Sequence, residues 1–354
     1  MSVSMSKTYE NLLLTFVHLG ERVPRYLIFN VARCKRLFPF LEILLIGDSE
    51  RTRLLAVKLG VVYLNYDKHA QQARIGLTFT DLEHDKQFWD GYHQKTFDRL
   101  LTLEEAHHHF PEAILLHIES DVILFSDFPF DRYLNLDKLA WCQHDEFSDV
   151  ASILFSPNLS HSKWLASELA QQAREHTETS DMGALNTIRK MDNGMHVRLL
   201  PRFYTDQEFS GEANDAKGGI NFLFDGAQFG QWILGWDPRS RWGLGRNRFW
   251  SPKESNPLED YSIDLDAKGV KIEVNGHHYR LANLHVHSKR ISAFLEDDNR
   301  SLGVAVAKLK SPSIRYYFSP SGFLKSLVSK TTRWSRSIWS LGAWKRMLIQ
   351  MRQD

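Results

Sequence analysis

Two carboxylates, two residues apart, interrupt an apolar run at Leu115-Leu116-His117-Ile118-Glu119-Ser120-Asp121-Val122. A strand core has no use for Glu119 and Asp121, because an unpaired charge buried there is costly. At the carboxyl end of a central parallel strand, where open α/β sheets bind ligands, the pair can hold a hard divalent cation whose remaining positions go to water and phosphate oxygens. The plainer reading is a strand end running into a solvated turn, and the triplet alone does not choose between them. A second set stands far along the chain, at Asn283-Leu284-His285-Val286-His287-Ser288-Lys289. In an extended segment His285, His287 and Lys289 share one face. An imidazole beside carboxylates suits Mn²⁺ or Mg²⁺ completed by a diphosphate, and a lysine ammonium suits the phosphate charge. Taken alone, this too reads as a surface strand with its polar residues outward; taken with Glu119 and Asp121, it favours a metal and phosphate site.

The elements that must carry these residues follow from hydropathy. Leu12 to His18 is an apolar run ending in Gly20 and Pro24, and Leu41 to Ile46 is another, closing on Gly47-Asp48, with a helix-compatible segment between them. Two buried strands joined by a helix make a βαβ start. Thr52 to Leu59 predicts a second helix and Val61 to Tyr63 a third strand, the alternation that a parallel, doubly wound sheet requires. Gln87 to Glu105 has helical periodicity with Phe97, Leu100 and Leu101 on its apolar side, and Ala113 to His117 is a buried run that breaks at the triplet and resumes as Val122 to Phe125. Beyond Trp141 the alternation weakens, and the Gly, Asn and Trp between Gly211 and Trp250 predict long loops laid over a site. Ser321 to Met351 spaces Leu327, Trp334, Ile338, Leu341 and Leu348 as an amphipathic helix does.

Composition narrows the function classes. With 354 residues, 43% hydrophobic and 25% charged, and with 20 Gly and 11 Pro, the chain is no collagen, coiled coil or wholly disordered protein. Forty-four basic residues against 43 acidic ones leave a net charge of +1, so no whole-molecule field selects nucleic acid. The charge is unevenly placed: from Arg315 to Asp354 eight Lys and Arg stand against one acid. Cys34 and Cys142 make neither a disulfide framework nor a zinc knuckle, which points to a reducing, cytoplasmic setting. Leu12 to Val17 is too short for a secretory signal, and no stretch approaches the ~18 apolar residues of a membrane span. Three features carry less than they suggest. His107-His108-His109 points in three directions on a helix, which solvation of a helix end explains; Gly243-Leu244-Gly245 follows no apolar strand; Trp232, Trp236, Trp242 and Trp250 fill core as readily as they stack on a sugar.

Six segments in order carry a resemblance: Thr15-Phe16-Val17-His18-Leu19-Gly20, Leu44-Leu45-Ile46-Gly47-Asp48, Glu119-Ser120-Asp121, Ser180-Asp181-Met182-Gly183-Ala184-Leu185-Asn186, Phe224-Asp225-Gly226-Ala227-Gln228-Phe229-Gly230-Gln231 and His285-Val286-His287-Ser288-Lys289. In this order they resemble a metal-dependent glycosyltransferase of the GT-A fold, in particular bacterial surface-polysaccharide enzymes distantly similar to retaining galactosyl- and glucosyltransferases. The resemblance implies a Rossmann-like, mostly parallel doubly wound sheet with helices on both faces over residues 1–300. Its nucleotide-binding half would span about 10–130 and its acceptor half about 131–300, with a basic amphipathic tail over 301–354. It implies that Asp121 ligates Mn²⁺ or Mg²⁺ directly, that Glu119 contacts the metal shell or the ribose, and that His285 or His287 supplies an imidazole. Lys289 would hold the diphosphate; His18, Gly20 and Asp48 would meet base and ribose; Arg99 would reach the donor. Glutamate at 119 departs from the family's usual aspartate.

Transfer of a sugar puts negative charge on the departing diphosphate and positive charge on the anomeric carbon, so a cation and a lysine suit the first and a carboxylate the second. Asp181 and Asp225 are the candidate carboxylates, each of which also reads as a helix cap, Asp181 before the helix-compatible Met182 to Ile188 and Asp225 before Gly226. The expected donor is a nucleotide-diphosphate sugar and the expected acceptor a glycan or lipid-linked glycan, the tail's Lys and Arg with Trp334, Trp339 and Trp344 meeting the inner face of the plasma membrane. Competing readings are a catalytically silent scaffold that binds nucleotide-sugars and a sugar nucleotidyltransferase. The latter normally needs a basic, Gly-rich phosphate loop, for which His18-Leu19-Gly20-Glu21-Arg22 is a poor fit.

Overall fold

The computed structural model describes residues 9–76, 92–175, 180–203, 209–210, 221–227, 229–230, 262–266, 269–274, 277–287, 289 and 291. These belong to the first of two units, Met1–Ala305; the second, Val306–Asp354, lies outside the described residues, as do the expected amphipathic tail and Trp232, Trp236, Trp242 and Trp250. The first half of the chain forms β1 (Leu12–His18), α1 (Arg25–Leu37), β2 (Glu42–Gly47), α2 (Glu50–Leu59), β3 (Val62–Asn65), α3 (Lys68–Ile75), α4 (Tyr92–His109), β4 (Ile114–Ile118) and β5 (Val122–Leu124). Next come β6 (Leu139–Gln143), β7 (Asp149–Ser156), α5 (Leu159–Glu175), α6 (Asp181–Asp192), β8 (Val197–Leu199), β9 (Arg202–Phe203) and β10 (Phe209–Ser210). The last strands are β11 (Asn221–Leu223), β12 (Ser262–Asp266), β13 (Gly269–Val274), β14 (His277–Leu281) and β15 (Asn283–His285).

Seven strands form the main sheet in the order β3-β2-β1-β4-β7-β6-β8. The centre is parallel, β1 pairing with β2 on one side and β4 on the other, and β7 is reversed against both β4 and β6. Because successive strand side chains point to opposite faces, the sheet makes two cores. Leu12, Leu14 and Phe16 join Leu116 and Ile118 under Leu27, Val31 and Cys34 of α1. Leu13, Val17 and Leu115 face Phe97, Leu100 and Leu101 of α4 and Leu165 and Leu169 of α5. Strands buried on both faces read as continuous apolar runs, which is why β1, β2 and β4 are evident in the sequence.

Helix ends follow local chemistry. The Ser49 side chain accepts from the Thr52 N–H at the start of α2, and Gly60, at φ 61°, ends it in the left-handed region that a Cβ disfavours. Helix α3, not foreseen, is capped by Asp67, whose carboxylate accepts from His69 and Ala70. Beyond Trp141 the strand–helix alternation does weaken, β6 standing beside β7 and α5 beside α6 in the chain, while β6, β7 and β8 extend the main sheet. Val122–Leu124 does not resume the main sheet; it leaves to form an antiparallel ribbon with β15, aligning Asn283 with Leu124, Leu284 with Ile123 and His285 with Val122. The His107 ring does not point to solvent. It is buried, with Nδ1 2.8 Å from Ser162 Oγ and Nε2 3.1 Å from the Ala113 carbonyl.

Candidate functional site

The site is built where β4 ends. Parallel pairing brings the ends of β1, β2 and β4 to one edge of the sheet, the carboxyl edge at which such sheets bind ligands. After Ile118 the chain turns through Glu119-Ser120-Asp121 with the Val122 N–H donating to the Glu119 carbonyl, then runs into β5. Ribbon pairing with β15 sets His285 beside this turn, and the Val286 N–H donates to the Asp121 carbonyl at 2.8 Å. Residues remote in sequence therefore meet.

His285 Nε2 lies 3.2 Å from Glu119 Oε2 and 3.4 Å from Asp121 Oδ2. The three residues each offer one ligand atom within 4.8 Å of the others, the one such group among the described residues. Two carboxylate oxygens and an imidazole nitrogen make a donor set that fits Mn²⁺ or Mg²⁺. His285 is oriented for this, because its Nδ1 faces the Gly226 carbonyl at 2.6 Å; a carbonyl only accepts, so Nδ1 carries a proton and Nε2 is the atom turned to the carboxylates. The rings of His285 and His287 lie 4.2 Å apart, but His287 is outside the cluster. The segment is not extended past His285, as the shared-face reading supposed. The His287 N–H donates to the His285 carbonyl and the Lys289 N–H to the Val286 carbonyl, and Lys289 takes the left-handed φ of 58°. That turn brings the Lys289 ammonium onto the Asp121 carboxylate.

Arg99, on α4, completes the charge balance, its guanidinium 2.6 Å from Glu119 Oε1 and 3.4 Å from Asp181 Oδ2. Burial alone would raise the Glu119 carboxyl, but Arg99, His285 and Lys289 outweigh it and hold Glu119 well below the usual carboxylate range. Burial would lower the His285 ring, yet Glu119, the Gly226 carbonyl and Asp225 raise it. Burial draws the Lys289 ammonium down to about 8, against the pull of Glu119. For Asp181, burial raises the carboxyl despite Arg99. The helix cap is Ser180, whose side chain accepts from the Gly183 N–H at 3.1 Å, while the Asp181 carboxylate meets Arg99 and also accepts from Thr96 and the Met182 N–H.

Asp225 differs from the expectation of a carboxylate facing the reacting sugar. It is fully buried, with Oδ1 accepting from the Phe229 N–H and Oδ2 from the N–H groups of Gly230 and His285, each at 2.9 Å. The first two strand ends are tied together: the Gly20 N–H donates to Asp48 Oδ1 at 2.7 Å, and Ser49 Oγ to the Gly20 carbonyl. His18 ends β1 beside them; its Nε2 is buried without a hydrogen-bond partner among the described residues, and burial lowers its pKa.

Two positioning residues escaped the sequence reading. Asn30 of α1 donates through Nδ2 to the Val122 carbonyl at 2.6 Å and to the Ser120 carbonyl at 3.2 Å, and Arg33 donates to the Leu124 carbonyl at 2.6 Å. Both are buried. A buried Asn and Arg three apart on an otherwise apolar helix face was the available signal.

An α/β sheet with a carboxylate, imidazole and ammonium cluster at its carboxyl edge is thus the class that fold and site define. No protein family matches the chain, and no curated protein does. Among solved structures it is similar to the PaToxG glycosyltransferase, at 10% identity over 52% of this chain and 71% of that one, with a TM-score of 0.35. It is similar also to mouse xyloside xylosyltransferase 1 in its apo form, at 11% identity over 54% of this chain and 84% of that one, TM-score 0.35. A cytidylyltransferase from Leptospira borgpetersenii serovar Hardjo-bovis matches at 15% identity over 60% of this chain and 79% of that one, TM-score 0.31. Likenesses this distant say nothing of this chain's activity.

Proposed function

We propose that the chain is a metal-dependent transferase of GT-A-like fold that moves a glycosyl group from a nucleoside diphosphate sugar to a sugar acceptor. The observation that carries this reading is the convergence of Glu119, Asp121 and His285, with Lys289 against Asp121, at the carboxyl edge of a mostly parallel sheet. A divalent cation bound there supplies Lewis-acid neutralisation of a diphosphate leaving group. Asp121 Oδ2, Glu119 Oε2 and His285 Nε2 would hold it. Lys289, released from Asp121, would take a phosphate oxygen, and Arg99 keeps Glu119 ionised while steering Asp181. Asp181 is the carboxylate proposed to face the sugar, and His18, Gly20 and Asp48 the nucleoside. The proposed acceptor is a glycan, free or lipid-linked, and the basic tail the proposed membrane contact.

The test is incubation of the purified chain with UDP-, GDP-, CMP- and dTDP-sugars and Mn²⁺, following release of nucleotide with and without EDTA. Slow hydrolysis of one of the three diphosphate donors, abolished by EDTA, supports the transferase, and hydrolysis of the monophosphate CMP-sugars alone counts against a diphosphate donor. Nucleotide-sugar binding by calorimetry with no turnover on any acceptor overturns it in favour of a silent scaffold.

A further inference from the structure

We propose that Asp225 is a positioning residue: by gathering the backbone N–H groups of Phe229, Gly230 and His285, its carboxylate fixes the His285 ring with Nε2 toward Glu119 and Asp121. The inference rests on the reading that these three side chains hold a divalent cation, and it assigns to Asp225 a task other than contact with the sugar.

Three observations converge. First, the direction of the His285 ring depends on the Gly226 carbonyl, which receives the Nδ1 proton at 2.6 Å. Gly226 directly follows Asp225, so whatever holds residue 225 holds that acceptor. Second, the loop is closed by Asp225 itself: Oδ1 takes the Phe229 N–H, and Oδ2 takes both the Gly230 and His285 N–H groups, tying the loop to β15. Asn283, two residues before His285, adds a paired clasp, its Nδ2 donating to the Asp225 carbonyl at 2.9 Å and its Oδ1 accepting from the Asp225 N–H at 3.1 Å. Third, the fit leaves no slack. A Cβ at Gly230 would stand 1.6 Å from the His285 carbonyl oxygen, and one at Gly226 would stand 3.0 Å from Cys142 Cβ. With no exposed surface and three N–H groups on its two oxygens, the Asp225 carboxylate acts on the site only through His285.

Ligand-orienting groups of this kind typically change metal affinity by roughly 10–100-fold when removed. Asp225→Asn puts an amide donor against backbone donors, and calorimetry should show Mn²⁺ binding about tenfold or more weaker in a variant whose circular dichroism and cooperative melt are retained. In a His285→Ala background the same substitution should cost no further affinity. A readout free of metal is the His285 Nδ1 proton, expected as a downfield, slowly exchanging resonance in the unaltered chain and as a broadened one in Asp225→Asn. If Asp225→Asn does not fold, Asn283→Ser, which keeps the carboxylate and removes the clasp, should give a smaller loss of the same kind. Unchanged Mn²⁺ affinity, or an equal loss with His285 already removed, overturns the positioning role and leaves the metal reading standing. An unaltered chain that binds no Mn²⁺ overturns both.

Discussion

Asp121 is 4% exposed and has two nitrogen neighbours, the Lys289 ammonium and the His285 imidazole. Glu119 is committed on one oxygen to Arg99, whereas among the described residues the ammonium that an arriving cation must displace from Asp121 is that of Lys289. Asp121→Asn keeps the shape and removes the charge. It should abolish Mn²⁺ binding and cut nucleotide release by at least about a hundredfold, an effect expected where a charge-stabilising group is lost. Its melting temperature should fall little, because Lys289, with 19% of its side chain exposed, can turn to water. Full activity in that variant at trace metal would remove Asp121 from the metal site.

The site is held by elements whose sequence signals differ in strength. α1 presents an apolar stripe of Leu27, Val31 and Cys34 to one core, and from the same helix Asn30 and Arg33 reach the carbonyls of Ser120, Val122 and Leu124. Asn30→Ala leaves the buried Val122 carbonyl and the half-buried Ser120 carbonyl short of a donor, which should cost about 1–3 kcal/mol in urea unfolding. It should also weaken Mn²⁺ binding, because the turn between β4 and β5 loses its anchor; unaltered affinity in a destabilised Asn30→Ala would confine Asn30 to stability. The apolar runs of β1, β2 and β4 were legible because burial on both faces excludes polar residues, and the Glu119-Ser120-Asp121 break marked the strand's end. Other features were not legible. That β5 would leave the main sheet for a ribbon with β15 depends on pairing across a long stretch of chain, and three-residue strands carry too little pattern to announce it. His285 and His287 were indistinguishable by type and spacing; the turn after His285 separates them. Asp225 looked like an active carboxylate since nothing in Phe224-Asp225-Gly226 reveals that the loop folds back onto its oxygens.

At the scale of the molecule, two buried histidines make folding sensitive to acid. Burial takes His107 down to about 4 against the Ala113 and Leu103 carbonyls, and burial with Arg99 takes His117 to about 3. The unfolded chain binds these protons near pH 6.5 and the folded chain does not, so their stabilisation is complete above about 6.5 and is lost as pH falls toward 4 and 3. Asp98 works oppositely: burial raises it to about 6 despite Lys68, so its contribution is present at low pH and is lost as pH rises through about 6. His107→Gln should flatten the fall in unfolding free energy between pH 6.5 and 4 by up to about 3 kcal/mol. Parallel slopes for the two proteins would exclude His107 as the source. The site adds a second linkage, since a cation held by Glu119, Asp121 and His285 joins the edge of the main sheet to a ribbon of three residue pairs. The unfolded chain has no such assembly, so Mn²⁺ at about a hundred times its dissociation constant should add about 2.7 kcal/mol, a rise in melting temperature of several degrees. The amides of Val122 and Val286, which bond across this junction, should exchange more slowly with the ion bound. Asp121→Asn should show neither effect; an equal rise in both proteins would mean that the ion binds elsewhere and that the cluster is an ion-pair network serving the fold alone.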